Sequence, residues 1–303
     1  MMPSSFVELI GARFMLRARS EAPHIVDQLI AERAAGLSSH PLWPLMRPVL
    51  YSFLHYGAAV RMANEMAPLP GHDALAYVSR LLAIDLRVAG IENIPQSGGF
   101  ILACSHPTGI ADGIAVIDML GRVRRDFAIF ANRDALRVAP RLADVLIPVE
   151  WRAGEKTHAK SRHTLEITAR AFADERAVVL FPSGRIAFWN GDHLAERPWQ
   201  PSLVALARRY GVPVVPVNVA SRNSPLFYFV SRKSTELRDM TVFHELLNKK
   251  GKPFALTVGK PIPPEALEGD VAEVTRRLQD HTVLRLRDDP LAEFRGIDLK
   301  AAA

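Results

Sequence analysis

The sequence predicts an α/β fold, a mixed and mostly parallel sheet flanked by helices, with an N-terminal helical region before it. Helical patterns alternate with short β-rich runs from about residue 95 onward, which is typical of one α/β sandwich and not of separate all-α and all-β domains. The chain has 303 residues, and 49% of them are hydrophobic, which is ample for a sizeable core. We therefore divide it into a helical region, 1–90, and an α/β domain, 91–303.

The helical region contains three or four predicted helices, separated by the polar breaks "GLSSHP" and "APLPGHD". Its most apolar segment, "PLWPLMRPVLYSFLHYGAAVRMANEMA", lacks the roughly 18 uninterrupted apolar residues of a membrane-spanning helix. The interruptions are Pro44, Arg47, Pro48 and His55. The segment is either a buried packing helix or a helix that docks in the membrane interface. In the second case we expect its membrane-facing side to carry Trp43, Leu50, Phe53, Leu54 and Tyr56.

The remainder of the chain contains seven predicted strands and four predicted helices. The strand candidates are "LRVAG", "GFILACS", "RDFAIFAN", "DVLIPVEW", "AVVLFPS", "VPVVPVNVA" and "FALTVGKPI". The helix candidates lie at about 113–120, 158–174, 201–210 and 270–286.

Charge and cysteine content restrict the function classes. The formal net charge is +6, and no zinc-finger spacing, RNA-binding signature or block of basic residues is present. We therefore expect an anionic partner that is not nucleic acid, either a phosphate-bearing substrate or an anionic membrane surface. The single cysteine, Cys104, excludes an internal disulfide and fits a reducing cytoplasm. Because Glu8 and Arg13 interrupt any signal-peptide core, we expect a peripheral protein on the cytoplasmic side of the inner membrane.

The stretch "FILACSHPTGIADGIAV" places chemistry at the end of a strand. His106 follows a buried strand, and Asp112 stands where the next helix begins. Ligands usually bind at the carboxyl edge of an α/β sheet, and Gly109 gives the loop freedom to bring the two side chains together. A carboxylate that holds one imidazole nitrogen leaves the other free to take a proton from a substrate hydroxyl. The alternative is that Asp112 only caps the helix and His106 satisfies a local backbone group.

Four blocks in order resemble the glycerolipid acyltransferase family of the lysophosphatidic-acid type, especially its hemolysin-like and ornithine-lipid O-acyltransferase branches. "SHPTGIADG" resembles the catalytic His-Asp block, and "DVLIPVEWRAG" resembles the second block, with Arg152 near its basic residue. "VVLFPSGRI" and "GVPVVPVNV" resemble the third and fourth blocks. The segments "SRNSPLFY" and "ELLNKKGKPFALTVGKPI" add to the likeness with the hemolysin-like branch.

This sequence departs from the common family pattern in two places. Five residues separate His106 from Asp112 where many members have four, a spacing that the hemolysin-like branch shares. Ser183 stands where many members have glutamate, and Arg185 lies two places further on. The resemblance then implies that Ser183, Gly184 and Arg185 bind an acceptor carrying phosphate or carboxylate. The alternative for Arg185 is an ion pair with a nearby carboxylate such as Asp192.

The resemblance implies an O-acyltransferase that moves a fatty acyl group from an acyl carrier protein or coenzyme A thioester to a lysolipid hydroxyl. The acceptor would be lysophosphatidic acid or a lyso-aminolipid such as lyso-ornithine lipid. His106 would be the base, Asp112 would orient it, and Arg152 would bind substrate; we expect no bound cofactor and no metal. Two alternatives stay open. One is a thioesterase or lipid hydrolase that uses the same base on water, and the other is a non-enzymatic lipid-binding protein at the membrane surface.

Two further groups of residues have both structural and functional interpretations. The basic residues of "WRAGEKTHAKSRH" either contact the acyl carrier or are simply solvated. Cys104 shares a strand face with His106, but a lone thiol in an apolar strand is far more often a packing residue than a nucleophile.

Overall fold

The fold begins with a layer of helices whose apolar faces pack onto a sheet. The structure is a computed structural model that describes residues 23–150, 152–155 and 157–295. The N-terminal helices are α1 (Ile25–Arg33), α2 (Ala35–Ser38), α3 (Trp43–Phe53), α4 (Tyr56–Met66) and α5 (Gly71–Leu82). The breaks that the polar segments predict fall between α2 and α3 and between α4 and α5.

The main sheet has seven strands, and each of the seven strand predictions is confirmed. These strands are β1 (Asp85–Ala89), β2 (Phe100–Cys104), β3 (Phe127–Asn132), β4 (Leu146–Val149), β5 (Ala177–Leu180), β8 (Val214–Ala220) and β9 (Pro253–Val258). A separate hairpin contains β6 (Phe188–Trp189) and β7 (Leu194–Ala195). The sheet order is β1-β9-β8-β2-β5-β3-β4, with the β8–β9 pair antiparallel and all other pairs parallel. The predicted fold class, a mixed and mostly parallel sheet flanked by helices, is confirmed.

The four predicted helices of the second region are present, and several short helices were not predicted. The helices are α6 (Ile110–Leu120), α7 (Asp134–Val138), α8 (His158–Ala173), α9 (Ser202–Tyr210), α10 (Pro225–Ser231), α11 (Thr235–Met240), α12 (Val242–Leu247), α13 (Val271–Asp280) and α14 (Leu286–Asp288). A π-helical turn, His281–Arg285, joins α13 to α14 within the predicted helix at 270–286. The short helices α7, α10, α11 and α12 lack enough turns to show a helical period in the sequence.

Side chains of β2 alternate between two hydrophobic layers. Phe100, Leu102 and Cys104 face the layer that contains the N-terminal helices and α6. Ile101 and Ala103 face the layer that contains α8, α9 and α13. All five residues are buried, as expected for a central strand covered on both faces. The strand therefore holds the residues that follow it in a fixed place.

The N-terminal helices share one core with the sheet. Buried residues of α1, α4 and α5 belong to the same hydrophobic cluster as those of β2 and β9. The strand β1 lies before the predicted boundary at residue 91 and pairs with β9, so the sheet begins at Asp85. Among the described residues, no helix is both long enough and apolar enough to cross a membrane.

The apolar segment 41–67 forms α3 and α4, and the side of α3 that faces solvent differs from the expectation. Leu54 is buried, and Trp43, Leu50 and Tyr56 pack against the core, so only Phe53 of the five expected side chains is freely exposed. A different set forms the exposed apolar stripe of α3. This set is Leu45, Val49 and Phe53, together with Leu42 immediately before the helix. The helix thus packs with one side and exposes an apolar face on the other, which combines parts of both interpretations of the segment.

Candidate active site

The structure brings His106 and Asp112 together at the carboxyl edge of the sheet. Nδ1 of His106 lies 3.0 Å from Oδ2 of Asp112. The pair falls short of a straight hydrogen bond, and Nδ1 has no other partner in the described part of the chain. Catalytic hydrogen bonds are often poorly aligned before substrate binds and tighten when it does. The Asp112 side chain is fully buried, whereas the His106 side chain is 17% exposed and can be reached from solvent.

The loop between the two residues holds the carboxylate in place. The backbone N–H groups of Thr108 and Gly109 donate to Oδ2 of Asp112 at 2.8 Å and 2.9 Å. The Thr108 hydroxyl donates to Oδ1 of the same carboxylate. Asp112 therefore caps α6 from its first turn and also contacts the imidazole. The capping and the catalytic interpretations of Asp112 are both compatible with this geometry.

Gly109 adopts a conformation that other residues avoid. Its φ is +97° and its ψ is −128°, a region that is essentially restricted to glycine. A Cβ atom at this position would lie 2.7 Å from Cδ1 of Ile186. The third block, which contains Ile186, thus packs directly on the His-Asp loop, and the backbone N–H of Ala187 donates to the carbonyl oxygen of His106 at 2.9 Å.

Glu196 belongs to the site, although sequence reasoning missed it. Its Oε1 accepts a hydrogen bond from the backbone N–H of His106 at 2.7 Å and lies 3.2 Å from Oγ of Ser183. Oγ of Ser183 is also 2.9 Å from the carbonyl oxygen of Arg185, and its one proton serves one acceptor at a time. Where many family members have glutamate in the third block, this chain has Ser183 with the carboxylate of Glu196 beside it. No local pattern marks Glu196 in the sequence.

Glu196 has an unusual environment. Burial raises its pKa to about 7, against the opposing effects of the His106 N–H and of nearby donors. Its second oxygen, Oε2, is buried and has no hydrogen-bond partner among the described residues. The indole of Trp199 is close enough to lower the pKa, but its N–H does not reach hydrogen-bond geometry. A carboxyl group in such a place stays protonated to a higher pH than an exposed glutamate does.

Ser183, Gly184 and Arg185 lie in the turn after β5. Gly184 has a φ of +63°, and its backbone N–H bonds the carbonyl oxygen of Phe181 at 2.9 Å. The ring of Phe181 packs 4.3 Å from that of His106, centroid to centroid. Arg185 is exposed and makes no ion pair within the described residues, while its alternative partner Asp192 pairs with His193. The turn therefore presents a free guanidinium at the same edge of the sheet as His106.

Arg152 lies in an ion-pair network. Its guanidinium contacts Glu150 at 3.1 Å, Glu32 at 2.9 Å and Asp134 at 3.3 Å. The hydrogen bond to Glu150 raises the pKa of Arg152, and the charges of the other carboxylates add to this effect. Because Glu32 belongs to α1 and Glu150 follows β4, the network joins the N-terminal helices to the sheet. The structure thus gives Arg152 a packing role, and its predicted contact with substrate stays a prediction.

Cys104 is the last residue of β2, two positions before His106, and its side chain is buried. Burial raises the pKa of the Cys104 thiol well above its usual value, so the packing interpretation of this residue holds. Within 23–150, 152–155 and 157–295, no group of three or more His, Cys, Asp or Glu side chains is placed to hold a metal ion.

A histidine held by a carboxylate at the carboxyl edge of an α/β sheet defines a class of enzymes that activate a hydroxyl group or water by general-base catalysis. The chain belongs to the acyltransferase family, because the family described as Acyltransferase matches residues 28–280, a range that includes all four blocks. It is therefore an acyltransferase, and the non-enzymatic alternative was wrong.

Characterised relatives and one solved structure are similar to this chain. A lyso-glycine lipid O-acyltransferase of Phocaeicola vulgatus is 28% identical over 64% of this chain and 70% of its own length. A protein of the same name from Bacteroides thetaiotaomicron is 26% identical over 66% of this chain and 74% of its own length. The crystal structure of the 1-acyl-sn-glycerophosphate (LPA) acyltransferase PlsC from Thermotoga maritima superposes with a TM-score of 0.49 and 15% sequence identity. The matched region covers 81% of this chain and 96% of the PlsC chain.

Proposed function

We propose that this enzyme transfers a fatty acyl group from a thioester to the hydroxyl of a lysolipid in membrane lipid biosynthesis. The observation that carries the proposal is the 3.0 Å contact between Nδ1 of His106 and Oδ2 of Asp112. Because Nδ1 lies beside the carboxylate, Nε2 is the ring nitrogen left to accept a proton, and the side chain of His106 is 17% exposed. Two relatives named lyso-glycine lipid O-acyltransferase support a lyso-aminolipid as the acceptor.

The proposed reaction is a direct transfer. His106 removes the proton of the acceptor hydroxyl, and the oxygen attacks the carbonyl carbon of the acyl thioester. A C–O bond forms and the C–S bond breaks, and the imidazolium returns its proton to the departing thiolate. Asp112 keeps the ring in place and stabilises its positive charge during the step. The thiol that leaves is that of an acyl carrier protein or of coenzyme A.

The variant His106→Ala tests this proposal. Purified protein is assayed with an acyl-carrier or coenzyme A thioester and a lysolipid, and product lipid is measured. We expect transfer to fall by at least about a hundredfold, because a positioned general base contributes about 10²–10⁴ to the rate. His72→Ala, an exposed histidine on α5, is the matched control and keeps full activity. Near-normal transfer by folded His106→Ala contradicts the proposal, and acyl release without any acceptor points to the thioesterase alternative.

We further propose peripheral contact with a membrane through the exposed stripe of α3. Leu45 is 75% exposed and Phe53 is 72% exposed, and both lie on one face of the helix. Arg47, on the same helix, is exposed and suits an anionic surface. The double variant Leu45→Glu, Phe53→Glu is expected to lose sedimentation with vesicles of phosphatidylglycerol and phosphatidylcholine. Leu291→Glu, at another exposed leucine, is the control, and equal vesicle binding by the double variant contradicts this assignment.

A further inference from the structure

A cleft beside the His-Asp loop contains polar groups that no part of the proposed mechanism uses. The cleft has a volume of about 360 Å³ and is largely apolar. It is lined by Trp189, Arg222, Asn223, Tyr228, Phe229 and Arg232. Most of these residues belong to "SRNSPLFY" and its continuation, a segment whose only assignment so far is a family likeness. We call it the SRN cleft.

The SRN cleft lies next to the reaction centre. Arg222 and Asn223 follow β8, whose Val219 N–H donates to Oγ of Ser105, the residue before His106, at 2.8 Å. Trp189 lies two positions after Ala187, whose N–H bonds the carbonyl oxygen of His106. These contacts place the mouth of the cleft at the same strand ends as the base.

The charges that act on Tyr228 also place the SRN cleft near the His-Asp loop. Burial raises the pKa of Tyr228, and the nearby carboxylates of Glu245 and Asp112 add to the effect. The positive charge of Arg222 opposes this effect and lowers the pKa of Tyr228. Tyr228 thus lies within electrostatic range of both the catalytic carboxylate and an arginine of the cleft.

Asn223 is the unusual residue of the cleft. It is 3% exposed, and neither Oδ1 nor Nδ2 has a hydrogen-bond partner among the described residues. A buried amide without hydrogen-bond partners is unfavourable, so a ligand that satisfies it would gain the free energy that this group lacks in the empty cleft. A ligand that satisfies Asn223 must offer both a hydrogen-bond acceptor for Nδ2 and a donor for Oδ1.

The loop that carries Asn223 is rigid. The backbone N–H of Asn223 donates to the Tyr228 hydroxyl at 3.0 Å. The next residue, Ser224, caps α10 and bonds the carboxylate of Glu245 through its backbone N–H at 3.0 Å. Glu245 forms a buried ion pair with Lys249, whose Nζ lies 2.9 Å from Oε2 of Glu245. Burial opposes the ionisation of Glu245, but the bonds from Ser224 and the charge of Lys249 outweigh it and lower its pKa. The backbone at Asn223 and Ser224 is therefore fixed by Tyr228 and Glu245.

Two arginines complete the cleft. Arg222 and Arg232 are exposed, and neither forms an ion pair with a carboxylate in the part of the chain that the structure describes. Free guanidinium groups beside an amide match a head group that carries a carboxylate next to an amide N–H. A phosphate dianion offers no donor for Oδ1 of Asn223. The aromatic rings of Trp189, Tyr228 and Phe229 provide an apolar wall for the first carbons of an acyl chain.

We propose that the SRN cleft binds the acylated amino-acid head group of a lysolipid acceptor, with Arg222 and Arg232 on the carboxylate and Asn223 on the amide. This inference rests on the proposed acyltransfer to a lysolipid and names the site that selects the acceptor. The acceptor hydroxyl would then reach His106 from the neighbouring strand end.

Calorimetric titration with N-decanoylglycine tests binding apart from catalysis. We expect Arg222→Ala and Arg232→Ala each to weaken binding about ten- to hundredfold, the effect of losing a charge-assisted hydrogen bond. Arg170→Ala, an exposed arginine at the end of α8 at the opposite edge of the sheet, is the control and binds normally. The methyl ester of N-decanoylglycine should bind weakly. Tighter binding of decyl phosphate than of N-decanoylglycine overturns the amino-acid assignment.

The variant Asn223→Leu provides a second measurement that a packing residue would not mimic. It removes an unsatisfied buried amide and keeps the volume, so we expect an unchanged or higher Tm together with weaker binding of N-decanoylglycine. A lower Tm with unchanged binding contradicts the proposal.

Kinetics separate this inference from the proposed function. His106→Ala should bind N-decanoylglycine normally and fail to transfer, while the cleft variants should raise the acceptor KM and keep kcat. If His106→Ala is inactive but the cleft variants keep normal binding and KM, the head-group site is refuted and the acyltransferase assignment stands. If His106→Ala transfers normally, the proposed function itself is refuted.

Discussion

Oδ2 of Asp112 lies 3.0 Å from Nδ1 of His106 and at the same time accepts the backbone N–H groups of Thr108 and Gly109. One carboxylate thus both shapes the loop and contacts the imidazole of the proposed base. The geometry explains how residues six positions apart along the chain meet without lying on one helical face.

Replacing Asp112 by Asn should affect both roles. The amide cannot stabilise an imidazolium, so we expect kcat to fall by about 10²–10⁴ in a transfer assay. Thermal unfolding should also show a lower Tm, because the loop N–H groups lose a charged acceptor. Asp118→Asn is the control: it changes a half-buried carboxylate on the same helix that bonds the Ser79 hydroxyl at 2.8 Å, and it should keep activity. Equal activity of the two variants would leave Asp112 as a helix cap only.

Replacing Gly109 by Ala should destabilise the protein by about 1–3 kcal/mol and lower activity, because φ is +97° and the new Cβ would meet Ile186. Gly113→Ala on the same helix meets only Cδ1 of Ile129, at 3.5 Å, and should be neutral or stabilising. Chemical denaturation of both variants tests the contrast. Similar free energies of unfolding would show that the loop relaxes freely.

Glu196 should make stability depend on pH. Burial raises its pKa to about 7 from an ordinary value of 4.5, so the folded state binds more protons than the unfolded state between these values. Its contribution is therefore fully present below pH 4.5 and is lost as pH rises through about 7. We expect Glu196→Gln, which keeps an acceptor for the His106 N–H, to gain stability relative to the original protein between pH 5 and pH 8. A Tm difference that does not vary with pH would contradict the raised pKa.

Arg152 should matter more for stability than for acceptor binding. Arg152→Ala removes one partner from each carboxylate of the network. Glu150 then keeps Lys160, and Asp134 keeps Arg33 and Arg137. We therefore expect the free energy of unfolding to fall by about 1–3 kcal/mol. Arg287→Ala, which breaks an exposed pair with Asp288, should cost less than about 0.5 kcal/mol. Denaturant titration provides the comparison. A normal free energy of unfolding combined with a raised KM for either substrate would restore the direct substrate contact that the second block implies.

Arg185 offers a second test of anion binding. Because its guanidinium is exposed and unpaired within the described residues, we expect Arg185→Ala to raise the acceptor KM, and Arg185→Lys to raise it less. Steady-state kinetics with varied lysolipid measures both. Unchanged acceptor saturation in both variants would make Arg185 a surface residue.

Much of the fold follows from local patterns. The β-rich runs specify all seven strands because buried strands need short apolar segments, and the longer helices show their period over several turns. The antiparallel pairing of β8 with β9 and the strand order depend on the path of the chain, which local patterns do not record. The short helices α10 to α12 are too short to show a hydrophobic period in the sequence. Residues of α10 line the SRN cleft, and Glu245 of α12 bonds the loop before it.

The sequence by itself determined that His106 and Asp112, the proposed catalytic pair, lie close together, because both belong to one short loop whose ends a strand and a helix define. Only the tertiary structure decided which groups surround that loop. Glu196 is 90 positions from His106, and Glu32 is 120 positions from Arg152. Arg222 and Asn223 come to the same sheet edge as His106 only because β8 pairs with β2. Contacts between distant segments depend on how strands pair and helices pack. Both depend on the packing of the whole hydrophobic core, which a local sequence pattern does not record.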